Sequence, residues 1–178
     1  MEMRIIKLKS KNTMKKTLFV AAMMLLGIAL EVGAQLPQVT LKDINGKTVR
    51  TDTLNNGGKP MIISFFATWC KPCNRELTAI SEVYDEWQEE TGVKVVAISI
   101  DQAQNINKVK PLVDQHEWPY ETVLLDPNSE LKRQLGIQMI PYVLIVDGEG
   151  KIVYKHNGYT EGAEEELIEK VRELVAAE

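Results

Sequence analysis

Apolar residues along this chain follow two rhythms. Met61-Ile62-Ile63-Ser64-Phe65-Phe66 is a run broken by one polar position, which reads as a buried strand. Beyond it, Cys73, Leu77, Ile80, Tyr84 and Trp87 fall at three- and four-residue spacings. That spacing keeps one face of a helix on a core and predicts a helix from about Lys71 to Glu90, stopped at Thr91-Gly92. Between the two lies Ala67-Thr68-Trp69-Cys70-Lys71-Pro72-Cys73, so both cysteines sit at a strand-to-helix junction. Pro72 fits the first turn, where a missing N–H costs nothing.

The flanking pattern completes an α/β chain. Gln38–Asp43 alternates and predicts a strand, Asn45-Gly46 is a hairpin turn, and Lys47–Arg50 returns as its partner. Val93–Ile100 is a second largely apolar strand, followed by a helix over Asn105–His116. Thr122–Leu125 is a short extended segment, and Leu131–Leu135 is one or two helical turns ended by Gly136. After Pro141, Val143–Val146 and Ile152–Lys155 form a hairpin around Asp147-Gly148-Glu149-Gly150. Thr160 starts the last helix, whose stripe is Leu167, Ile168, Val171, Leu174 and Val175; Glu164-Glu165-Glu166 lies near its N-terminus, where negative charge is favourable. Alternating strands and helices imply parallel pairing through crossovers, and the closing hairpin implies antiparallel strands at the other side. The expectation is a central mixed sheet with helices on both faces.

Charge divides the chain. Residues 1–34 hold six basic and two acidic residues, which leaves 15 basic and 23 acidic residues, a net −8, in 35–178. The basic stretch to Lys16, the 13-residue apolar run Leu18–Leu30 and the small residues Val32-Gly33-Ala34 have the order of a signal peptide cleaved before Gln35. The apolar run is short for a membrane-spanning helix, which needs about 20 residues; an uncleaved anchor is the alternative. Met14-Lys15-Lys16 begins a conventional signal by itself. The remainder, 35–178, is long enough for one domain. The whole-chain charge of −4 argues against a nucleic-acid surface.

Cys70 and Cys73 are the only cysteines. A thiolate is the attacking species in disulfide exchange, and the unpaired N–H groups and partial positive charge at a helix start favour it. Cys70 is therefore the expected exposed nucleophile, and Cys73, one turn deeper, the residue that resolves the mixed disulfide. A structural staple is the bland alternative, but so short a loop removes little chain entropy. Half a zinc site is another, but no second cysteine pair exists, and His116 and His156 stand alone without ligand spacing. Both histidines read as ordinary surface or partly buried residues.

The Trp69-Cys70-Lys71-Pro72-Cys73 motif between an apolar strand and a helix resembles the thioredoxin superfamily. Three features are similar to its exported TlpA-type thiol–disulfide oxidoreductases: Ala67–Cys70 leading through Cys73 to Arg75-Glu76-Leu77, the extra segment Tyr120–Gly136, and Ile140-Pro141 followed by a strand and Asp147–Lys151. The resemblance implies a thioredoxin-like fold with an added N-terminal hairpin and an inserted strand and helix. It also implies a cis Ile140–Pro141 bond facing the cysteines, with Ile140, Pro141, Trp69 and Pro72 meeting the substrate. Glu76 matches an acidic residue of the branch that would accept the Cys73 proton; an exposed first-turn glutamate is the alternative. Trp69 has a structural aromatic as its alternative.

Two departures stand out. Ser64 occupies the place of the buried aspartate of thioredoxin proper, and Tyr142-Val143 replaces residues that are more often threonines.

The expected function is an exported protein-disulfide reductase that needs no metal, flavin or nicotinamide and acts as a monomer on disulfide-containing client proteins. The protein would lie in the bacterial periplasm or cell envelope, membrane-tethered if the signal is uncleaved, and its electrons would come from an upstream thiol–disulfide donor embedded in the membrane. The rivals are an oxidase or isomerase of the same fold, a peroxiredoxin-like thiol peroxidase and a non-enzymatic binding module.

Overall fold

The computed structural model describes residues 33–177. The proposed signal segment lies almost wholly outside them. The strands are β1 (Thr40–Asp43), β2 (Thr48–Arg50), β3 (Met61–Phe66), β4 (Lys94–Ser99), β5 (Thr122–Leu125), β6 (Tyr142–Val146) and β7 (Ile152–Asn157). The α-helices are α1 (Lys71–Thr91), α2 (Val109–Gln115), α3 (Glu130–Gln134) and α4 (Ala163–Ala176). One seven-stranded mixed sheet has the order β2-β1-β5-β4-β3-β6-β7.

The central place of β3 explains its composition. It pairs in parallel with β4, Ile62 opposite Val95, and antiparallel with β6, Ile62 opposite Ile145. All six of its residues are buried. Ile62 and Phe66 join one core with Leu77, Ile80, Tyr84 and Trp87 of α1, Val109 and Val113 of α2, and Leu167, Ile168 and Val171 of α4. Met61, Ile63 and Phe65 join a second core with Leu36, Val39, Leu131 of α3 and Ile137. A strand covered on both faces has no polar side to display, so its pattern does not alternate.

The expected hairpin pairs Leu41 with Val49. β1 also docks antiparallel on the inserted strand β5, Lys42 opposite Leu125. Hairpin and insertion therefore form one extension beside β4. Gly92 ends α1 in a left-handed conformation, φ +67°, with its N–H bonded to Gln88 O at 2.8 Å.

Two helix starts differ from expectation. Over Asn105–His116 the chain makes a 3-10 turn at Ile106–Lys108 before α2 begins at Val109. Pro111 would lie inside a helix begun at Asn105, whereas starting at Val109 puts it in the first turn, where no N–H is needed. Similarly, α4 starts at Ala163 rather than Thr160, because Gly162 adopts φ +87° at the position just before it.

Candidate active site

β3 delivers the chain to the C-terminal end of the central strands, and Cys70 N bonds back to Ala67 O at 3.0 Å. Cys70 is the N-cap of α1: its backbone is extended, and its Sγ accepts the Cys73 N–H at 3.4 Å. The two cysteines form a disulfide with Cα atoms 5.3 Å apart. Cys73 is fully buried, but Cys70 is only 5% exposed, not the open nucleophile expected. As a cap, its side chain folds back over the first turn of the helix, and the disulfide draws it toward the covered Cys73 sulfur. Its neighbours are more open. Trp69 is 66% exposed, Lys71 is exposed and Pro72 is half-buried.

The Ile140–Pro141 peptide is cis. Phe65 pairs with Tyr142, so Pro141 lies at the end of β3 from which the cysteine loop departs. Gly158 N bonds to Pro141 O at 2.9 Å and ties this turn to the exit of β7. Ile140 is half-buried against both cores, and Met139 before it is 59% exposed.

Glu76 is 1% exposed, which removes the alternative of a solvated first-turn glutamate. It stands one turn after Cys73 on α1, and Ser64 Oγ of β3 donates to its Oε2 at 2.9 Å. Burial pushes its carboxyl up to about 7; the Ser64 hydroxyl opposes that rise and the Glu164 charge adds to it. Tyr120 closes the same layer, donating its phenol to Leu77 O and meeting Tyr84 edge-on with ring centres 5.5 Å apart. His116 stacks on Trp118, and His156 on Tyr154.

Sequence reasoning missed Asp101. Its carboxylate is buried and accepts from Thr68 N–H and Thr68 Oγ1, both at 2.7 Å, and from Ser99 Oγ at 2.9 Å. The signal was positional. Asp101 directly follows the second apolar strand, and parallel pairing of two consecutive strands brings their C-terminal ends side by side.

The profile of the AhpC/TSA family matches residues 32–155. The chain belongs to the AhpC/TSA family. Within it, this is a Cys-x-x-Cys thiol–disulfide oxidoreductase of the thioredoxin superfamily and TlpA-like kind, with a dithiol/disulfide redox centre. It is 28% identical over 145 residues to the thiol-disulfide oxidoreductase ResA of Bacillus thuringiensis subsp. konkukian, covering 82% of this chain and 79% of that one. A thioredoxin-like protein from Porphyromonas gingivalis, solved in solution, is 65% identical, with a TM-score of 0.72 over 81% of this chain and 94% of that one. A secreted Mycobacterium tuberculosis disulfide oxidoreductase is 22% identical, with a TM-score of 0.63 over 77% of this chain and 96% of that one, and shares the fold.

Proposed function

We propose that this AhpC/TSA-family chain is an exported reductase of protein disulfides. Its first 34 residues act as the signal, and the remainder works as a monomeric domain in the bacterial envelope. In the reduced enzyme the Cys70 thiolate attacks one sulfur of a client disulfide. A mixed disulfide forms, and the other client sulfur leaves as a thiolate. Cys73 then gives its proton to Glu76 and attacks Cys70 Sγ, which releases the second client thiolate. The client gains two electrons, and the enzyme is left as the Cys70–Cys73 disulfide. A membrane-embedded thiol protein returns the electrons.

The observation that carries this reading is the disulfide at the N-cap of α1 with a buried, hydrogen-bonded carboxyl one turn further on. Backbone N–H groups at the cap favour the anion on Cys70. A Glu76 carboxyl titrating near neutrality is matched to moving a proton at physiological pH. In this reading Trp69 and Pro72, which flank Cys70 in the chain, act with Ile140 and Pro141 to align an extended client segment. Met139, exposed next to Ile140, adds a further apolar side chain on that side of the cis bond. Two cysteines within one turn suit exchange better than single-cysteine peroxide reduction.

Equilibration with glutathione buffers tests the direction of transfer. A reductase predicts a potential of about −270 to −200 mV; a value near about −120 mV makes the protein an oxidant and overturns the reading.

A further inference from the structure

We propose that Asp101 is a positioning residue for Cys70, acting through Thr68 to hold the cysteine loop against the start of α1. The inference rests on the reading of Cys70 as the attacking thiol.

Thr68 lies two residues before Cys70, and all of its polar groups are engaged. Its N–H and hydroxyl both donate to the Asp101 carboxylate at 2.7 Å, one to each oxygen. Its carbonyl accepts from Asn74 Nδ2, on the first turn of α1, at 3.3 Å. That last bond leaves Asn74 Oδ1 buried without a partner. Asp101 is itself fixed, since Ser99 Oγ donates to it at 2.9 Å and its own N–H returns to Ser99 Oγ at 3.1 Å. Ile100 N bonds to Phe66 O at 2.9 Å, so the ends of β3 and β4 are locked together at the root of the loop.

A buried carboxylate is tolerated when hydrogen bonds replace its water, and here two of the three donors belong to one loop residue. A general stabilising role would not require both. The arrangement fixes the path from Ala67 to Cys70, and so the place of the Cys70 sulfur relative to the Cys73 N–H it caps. Asp101→Asn keeps the size but loses the charge that strengthens both bonds, and its NH₂ group either faces the Thr68 N–H or forces the Thr68 hydroxyl from donor to acceptor. The loop then shifts, and the Cys70 anion loses amide contact.

The test is the rate of Cys70 alkylation by iodoacetamide at pH 7 in the reduced full-length protein, read by mass spectrometry, together with the oxidised-to-reduced ratio in a fixed glutathione buffer. The expected result for Asp101→Asn is alkylation about tenfold slower and a ratio moved toward the disulfide. Thr68→Val, which removes only the hydroxyl, gives a smaller change of the same sign and serves if Asp101→Asn does not fold. Thr68→Ser retains the wild-type rate. Faster alkylation in Asp101→Asn would mean that its charge acts alone, and an unchanged rate with lower thermal stability would mean a merely structural role; either overturns the inference. If wild-type Cys70 reacts no faster than a cysteine in an unstructured peptide, the assignment of Cys70 as attacking thiol fails instead.

Discussion

Ser64, in the middle of the central strand, donates its hydroxyl to Glu76, one turn past Cys73 on the following helix, at 2.9 Å. Both side chains are buried. Where thioredoxin proper carries an acid on the strand, this chain carries the acid on the helix and leaves a hydroxyl on the strand to hold it.

Glu76 makes stability depend on pH. Its carboxyl keeps a proton up to about pH 7 in the folded protein, against an ordinary value of 4.5. The folded state therefore binds more protons between those values, and stability falls as pH rises through that window. Glu76→Gln removes the cost of the buried anion. In urea denaturation the variant should be more stable at pH 8, by on the order of 3 kcal/mol, and unchanged at pH 4. An equal difference at both pH values would contradict the placement of the carboxyl.

In the proposed mechanism the same group accepts the Cys73 proton in the second step of exchange. Turnover should rise with pH up to about 7, as Glu76 becomes able to accept the Cys73 proton. Glu76→Gln should lose that limb and about a hundredfold in rate. A wild-type pH profile in the variant would remove Glu76 from the mechanism.

Ser64→Ala should move the limb upward, because the hydroxyl is the interaction that restrains the Glu76 shift. It should also cost about 1–2 kcal/mol of stability at pH 8, where the carboxylate is left without its donor. Parallel pH–rate and denaturation measurements check both effects.

Trp69, next to Cys70 in the chain, and Met139, next to Ile140, are large, apolar and exposed. Trp69→Ala and Met139→Ala should each change stability by less than about 0.5 kcal/mol. Each should lower kcat/KM for a disulfide-bonded peptide by about tenfold, an effect of hot-spot size, and leave reduction of a small aromatic disulfide unchanged. Equal losses on both substrates would place these side chains in the chemistry rather than in client recognition.

Much of the fold was legible where local pattern and tertiary placement agree. The limits of β3 match its apolar run, and those of β5 and the glycine stop of α1 fall where composition puts them. Helix starts were less legible, because Pro111 and Gly162 override the apolar stripes that follow them. The cysteines were visible as a motif, whereas the cover over Cys70 depends on how a cap residue folds back. The Ser64–Glu76 and Thr68–Asp101 bonds join residues 12 and 33 positions apart. No periodicity encodes such contacts; they follow only once β3, β4 and α1 are placed side by side.

The most direct test of the account is a trap. Cys73→Ser, reduced and mixed with a disulfide-bonded peptide, should accumulate a mixed disulfide that mass spectrometry places on Cys70, whereas Cys70→Ser should accumulate none. An adduct that forms on Cys73 in Cys70→Ser, or no adduct in either variant, would contradict the assignment of attack and resolution on which the proposed function stands.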